Sequence, residues 1–197
     1  MLRFDGDDRA LVQALQDERP GAMEELYDRY APHVQRVLAR VVGMDQALPE
    51  LLQEVFIEAF GNIHSIKNAA RLKAWITSIA VFTARGRIRK RSRRLALWIS
   101  DSTAVPEVPI QGADHEIRET LSCAYQVLDK LPANERIVFT LRFMEGMELT
   151  EVAEVCRVSL ATVKRRISRA KKRFFSLAKQ QKVLREWLER DDNRRVE

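Results

Sequence analysis

The stretch LTEVAEVCRVSLATVKRRISRAKKRFF, Leu149 to Phe175, decides the fold class. Val152, Ala153 and Val155 set a short helical rhythm, and Val163, Ile167, Ala170 and Phe174 set a longer one. Thr150 and Ser159 are placed to cap the two N-termini, where a hydroxyl accepts from an orphan backbone N–H. At about 100° per residue, the apolar stripe of the second helix leaves Arg165, Ser168 and Lys172 on the opposite face, flanked by Lys164, Arg169 and Lys171. Seven of the ten residues from Lys164 to Arg173 are basic and none is acidic, whereas a merely solvated hairpin mixes both signs. A short helix, a tight turn and a longer basic helix make a helix-turn-helix, which lays its second helix in a DNA major groove. Arg157 stands in the turn where glycine is common, so the backbone there must avoid a left-handed conformation or carry its strain.

Outward from this motif, charge is concentrated. A second window, Arg85–Arg94, also holds seven basic residues and no acid. The two windows take fourteen of the 34 lysines and arginines, so the remaining 20 face 28 acidic residues, a net of −8. An acidic chain with two basic patches points to two separate polyanion contacts. Length allows two small domains, each with a core. Cys123 and Cys156 lie in helical patterns without a C-x-x-C spacing or a nearby histidine; two buried free thiols are expected, and no metal or cofactor. The longest uncharged run, Ala74–Ala84, is too short to span a bilayer, and MLRFDGDDRA has no apolar signal core. A cytoplasmic protein with no membrane insertion is expected.

The pattern is all-α, with no convincing strand. Helices are expected over residues 8–17, 22–43 with Pro32 as a kink, 48–60, and 70–94, where Trp75, Ile79, Phe82 and Ile88 suggest the buried side. The turn-rich segment Gly61–Ala69 joins the last two. Residues 95–113, with Pro106, Pro109 and Gly112, read as a linker on which Leu97, Trp98 and Ile99 are placed to dock. Beyond it, helices are expected over 114–131 and 134–144, then the opening motif. Its last helix can extend through Leu177, Leu184, Trp187 and Leu188 into a charged tail. The division is therefore 1–94, linker 95–113, 114–180 and tail 181–197, with the two cationic surfaces tethered yet independent.

Particular residues then carry a resemblance. Glu24-Glu25-Leu26-Tyr27, Tyr30-Ala31-Pro32, Leu51-Leu52-Gln53-Glu54-Val55-Phe56 and Leu72-Lys73-Ala74-Trp75-Ile76 occur in order in the first half. Leu131-Pro132, Arg136, Val138-Phe139, Leu141-Arg142, Glu145-Gly146, Thr162-Val163-Lys164, Arg166 and Arg169-Ala170 follow in the second. This series resembles the extracytoplasmic-function group of the bacterial sigma-70 family, which keeps only the second and fourth conserved regions. Phe82 and Gly86 depart from the asparagine and aspartate frequent in that family, and Leu48-Pro49 replaces part of an acidic pair.

The resemblance implies an RNA polymerase specificity subunit that binds core polymerase and directs promoter-specific initiation. It assigns contact with the upstream (−35) promoter element to Ser159, Lys164, Arg165, Ser168 and Arg169, with Lys171 and Arg173 on phosphates. Arg166, toward one flank, suits backbone contact or an intradomain pair. For the downstream (−10) element it points to the polar loop residues Asn62, His64, Ser65, Lys67 and Asn68. Arg85, Arg89, Lys90 and Arg93 supply the charged track beside them. Trp75 falls on the apolar side of its helix and reads as core. Glu50, Gln53 and Glu54 are expected to meet the clamp helices of the polymerase β′ subunit, and an anti-sigma protein is an expected partner. A plain helix-turn-helix regulator that binds duplex DNA without polymerase is the rival reading; it leaves the second basic window unexplained. An enzyme is disfavoured: His33, His64 and His115 are scattered, and no nucleophile–base spacing or phosphate loop occurs.

Overall fold

The Asp7 side chain accepts the Ala10 N–H at 2.9 Å and starts α1 (Asp8–Gln16), which buries Leu11, Val12, Ala14 and Leu15. The computed structural model describes residues 6–43, 45–97 and 115–186, and among these none is in a strand. α2 (Ala22–Val42) is bounded by two glycines of positive φ, Gly21 at 82° and Gly43 at 83°. It runs on through Pro32, which lies on its exposed side. α3 (Leu48–Gly61) takes Pro49 in its first turn, where a missing N–H costs nothing. Two 3-10 turns, Ile63–Ser65 and Ala69–Arg71, lead into α4 (Leu72–Leu97).

α4 is the axis of the molecule. Every residue from Ile76 to Val81 is buried, and so are Thr83 and Ala84. Helices α2 and α3 cover one side of it; α6 (Ala133–Phe143) and α7 (Leu149–Cys156) of the C-terminal half cover another. A helix covered all round has no room for charge, which explains the uncharged run Ala74–Ala84. Two of its buried hydroxyls are satisfied locally, Thr77 donating to the Lys73 carbonyl at 2.6 Å and Ser78 to the Trp75 carbonyl at 2.7 Å, whereas the Thr83 hydroxyl has no partner among the described residues. Trp75 packs half-buried on the core, but Phe82, read above as part of the buried side, joins neither apolar cluster.

The C-terminal half adds α5 (His115–Asp129) and α8 (Leu160–Ala178). α8 stops at Ala178 instead of continuing to residue 188. A separate helical stretch at 182–186 follows and buries Leu184 among Val127, Leu128 and Phe139, so part of the expected tail is a packed element. At the other boundary α4 reaches Leu97, three residues into the expected linker. Trp98, Ile99, Trp187 and Leu188 lie outside the described residues.

The sequence leaves open how the two halves sit together; here they share one apolar cluster. Ile137, Leu141, Val152 and Val155 lie in it with Val34, Val41, Ile76 and Ala80. Polar contacts seal the seam. Arg40 donates to the Met144 carbonyl (2.5 Å) and the Glu145 carboxylate (2.8 Å), which also takes Arg36 at 3.4 Å. Arg136, 1% exposed, pairs with Asp129 and donates through Nε to the Val41 carbonyl at 2.5 Å. That carbonyl belongs to the C-terminal, negative end of α2, which suits a buried cation.

His33 sits beside this seam. Thr77 has spent its hydroxyl proton on Lys73, so His33 Nε2–H donates to Thr77 Oγ1 (2.8 Å) and Nδ1 accepts from Arg36 (3.1 Å). Burial, then the neighbouring Lys73 and Arg36, hold its pKa below the ordinary 6.5, while Glu145 pulls weakly the other way. The folded chain thus refuses a proton that the unfolded chain accepts, so stability is full above about pH 6.5 and falls below it. The urea midpoint should drop between about pH 7.5 and about pH 5.5, and His33→Gln should remove most of the difference. An equal drop in the variant would place the sensitivity elsewhere.

Candidate nucleic-acid interface

Local geometry builds the helix-turn-helix. α7 is capped by Glu148, whose carboxylate and that of Glu151 form a reciprocal capping box; Thr150, expected as the cap, lies inside the first turn. Ser159 does cap α8: its hydroxyl accepts the Thr162 N–H at 3.2 Å and pairs with the Thr162 hydroxyl at 2.9 Å. Arg157 closes α7 in the left-handed region (φ 52°, ψ 50°), so the turn carries the strain that glycine avoids. Its N–H reaches the Glu154 carbonyl (3.0 Å), and its guanidinium lies over the Phe82 ring of α4 at 5.1 Å.

Val163 and Ala170 turn α8 inward, and Lys164, Arg165, Ser168 and Arg169 are exposed. None of the three cations among them makes an ion pair with the described residues. Lys171 and Arg173 are also exposed yet engaged: Lys171 lies over the Phe143 ring at 5.3 Å, and Arg173 meets Glu135 at 3.5 Å. Arg166 is half-buried and makes no ion pair among the described residues.

The N-terminal window divides by role. Arg87 binds Asp45 through two nitrogens at 2.7 and 3.0 Å, and Arg91 pairs with Asp129, so both serve the fold. Arg89, Lys90 and Arg93 are exposed and make no ion pair among the described residues, although Arg93 Nε donates to the Arg89 carbonyl at 3.4 Å. Arg85 is half-buried; its guanidinium lies over Phe82 at 4.6 Å and its Nε has no partner. Desolvation lowers its pKa, though an arginine stays charged. Gly86, exposed one turn past Phe82, would meet nothing with an added Cβ. Gly86→Ala should therefore stabilise the chain by about 0.5–1 kcal/mol in chemical denaturation.

The loop before α4 is anchored by buried Ile63 and Ile66, whose carbonyls accept from Gln16 of α1 at 3.4 and 3.5 Å. Asn62 donates to the Glu58 carbonyl (2.8 Å) and Asn68 accepts from Ala70 N–H (3.1 Å), so both amides are used in local caps. His64, Ser65 and Lys67 are exposed. An open groove of about 900 Å³ between α1 and this loop is lined by Asp7, Arg9, Gln16, Lys67 and Asn68 among others.

α3 presents Glu50, Gln53 and Glu54 along one exposed face. Sequence reasoning passed over Ile57, 72% exposed on the next turn of that stripe; Met23 and Tyr27, which fit the apolar rhythm of α2, are exposed as well. The available signal was Ile57 falling outside the buried set Leu51, Val55, Phe56 and Ala59. The thiols are not alike: Cys156 is buried and its pKa is pushed up to about 11 by desolvation, whereas Cys123 is only half-buried. No helix among the described residues is long and apolar enough to cross a membrane.

Comparison with known proteins agrees with this geometry. Residues 26–94 match the family model for Sigma-70 region 2, and residues 121–174 match that for Sigma-70, region 4. The ECF RNA polymerase sigma-E factor of Haemophilus influenzae is 28% identical over 173 residues, covering 83% of this chain and 91% of that protein. The Escherichia coli K12 sigma-E factor is 27% identical over the same length. Two solved structures share the fold. One is the sigma factor RpoE from Bartonella quintana in complex with the anti-sigma factor NepR (TM-score 0.63, 21% identity, 82% of this chain and 99% of that one). The other is CnrH in complex with the cytosolic domain of CnrY (TM-score 0.61, 20% identity, 88% and 98%). Matches to both regions, in order and on the two helical halves, make this chain a member of the sigma-70 family, in its ECF group.

Proposed function

We propose that this chain is a cytoplasmic specificity subunit of bacterial RNA polymerase, with catalysis left to the polymerase. The observation that carries the reading is the pairing of two exposed cationic surfaces on one chain: the outer face of α8, and the Arg89–Arg93 stretch of α4, which lies not beside the polar loop, as expected, but about 25 Å along the helix from it. The first has the form of a major-groove reader. Lys164, Arg165, Ser168 and Arg169 reach bases and phosphates of the −35 element, with Lys171 and Arg173 on the flanking backbone. Ser159 contributes through its cap, which fixes how α8 enters the groove. The second suits an opened −10 element, with His64, Ser65 and Lys67 nearest an extruded base and Arg85, Arg89, Lys90 and Arg93 along the backbone. Asn62 and Asn68 shape that loop.

The Glu50–Gln53–Glu54 face of α3, with exposed Ile57, combines acid and apolar surface suited to a basic amphipathic partner, here the β′ clamp helices. An anti-sigma protein is a further partner; the fold shared with RpoE bound to NepR supports it. Run-off transcription with core polymerase over a small promoter library tests the reading. Promoter-selective initiation that depends on this chain is expected. Tight duplex binding by the chain alone, with polymerase adding nothing, would overturn it.

A further inference from the structure

Phe82 is an aromatic residue out of place. It is half-buried, joins neither apolar cluster, and its ring is met instead by two guanidiniums, Arg85 at 4.6 Å and Arg157 at 5.1 Å. The first comes from its own helix. The second crosses from the turn of the helix-turn-helix, held there by a strained left-handed backbone. Along α4, Phe82, Gly86, Arg89 and Arg93 fall within about 60° of one another at 3.6 residues per turn. The strip thus runs from an aromatic ring, past bare backbone that an added Cβ would leave open, to two exposed cations. A ring at the end of a cationic track is what single-stranded nucleic acid uses: phosphates follow the charges and a base lies on the ring.

We propose that Phe82 is a stacking platform for an unpaired base, and that Arg157 occupies that base's place while the two halves are closed. A guanidinium and a base are both planar and both favour the face of a ring, so one can substitute for the other. A further ion pair, Arg71 of the 3-10 turn before α4 with Glu154 of α7, also bridges the two halves. The proposal rests on reading Arg85, Arg89 and Arg93 as the single-strand track, and it adds to that track a base site with its own intramolecular plug.

Binding of labelled fifteen-nucleotide oligothymidylate to the full chain, read by fluorescence anisotropy beside a duplex control, tests this. Arg157→Gly suits the left-handed turn and removes the plug. It should tighten oligothymidylate binding about fivefold although a positive charge is lost, with duplex binding changed less than about twofold. Phe82→Leu, placed in the Arg157→Gly background, should abolish that gain, and Phe82→Trp should keep it. A gain that survives Phe82→Leu, or no gain at all, overturns the proposal. Helical circular dichroism identifies any Phe82→Leu chain that fails to fold, and the Arg157→Gly comparison decides the matter without it. Run-off transcription with core polymerase separates the two levels. Transcription with no Arg157→Gly gain sinks the platform alone; a gain without transcription sinks the polymerase reading alone.

Discussion

Asp129→Ala should lower the midpoint of thermal unfolding by roughly 6–12 °C, from a loss of about 3 kcal/mol. Among the described residues, Asp129 is the only carboxylate paired with Arg136, whose guanidinium is almost wholly buried and already leaves Nη2 without a partner there. Removing the carboxylate leaves a buried cation held, among the described residues, by the Val41 carbonyl alone. Breaking one side of such a pair costs more than the pair is worth, because the remaining charge is still desolvated. The reciprocal change should be milder. Arg136→Met fills much of the same space, and the orphaned Asp129 is a third exposed and keeps Arg91. Thermal denaturation of the two variants at matched salt checks the order; equal losses, or a larger one for Arg136→Met, would falsify the account.

Arg165→Ala should reduce transcription about 10- to 100-fold at promoters carrying the preferred upstream element, and much less at those already lacking it. Arg165 is exposed on the outer face of α8 and makes no ion pair among the described residues, so its five donors are available to a guanine edge. Arg89→Ala differs in kind. In the proposed role it would remove a phosphate contact, so the loss should be smaller, uniform across promoters, and accompanied by a salt dependence shallower by about one unit of slope. Transcription across a promoter library at several salt concentrations reads both. Uniform loss for Arg165→Ala would remove it from base reading.

Much of the fold was legible because helices here are strongly periodic. Val34, Val37, Leu38 and Val41 mark the inner face of α2, and all are fully buried. Period tells which face is covered but not by what, so the packing of α6 and α7 onto α4 was invisible. Its trace in the sequence was the uncharged run Ala74–Ala84, read only as too short for a bilayer. Phe82 fits the apolar rhythm of α4 and was grouped with its core, whereas its ring is met by cations supplied partly by a residue 75 positions later in the chain. The cap of α7 was misplaced because a hydroxyl at Thr150 is the commoner signal, while a carboxylate two residues earlier does the same work. In the loop, composition named the polar residues but not which are occupied: Asn62 and Asn68 close backbone caps, and His64, Ser65 and Lys67 are left outward.

The apolar seam has a consequence for the life of the polypeptide. Ile137, Leu141, Val152 and Val155 lie against α2 and α4, so either half alone would carry a bare greasy stripe into water. An N-terminal half emerging first from the ribosome is unfinished until its companion arrives to cover it. A proteolytic nick between residues 97 and 115 would leave two fragments that travel together, not a pair of liberated modules.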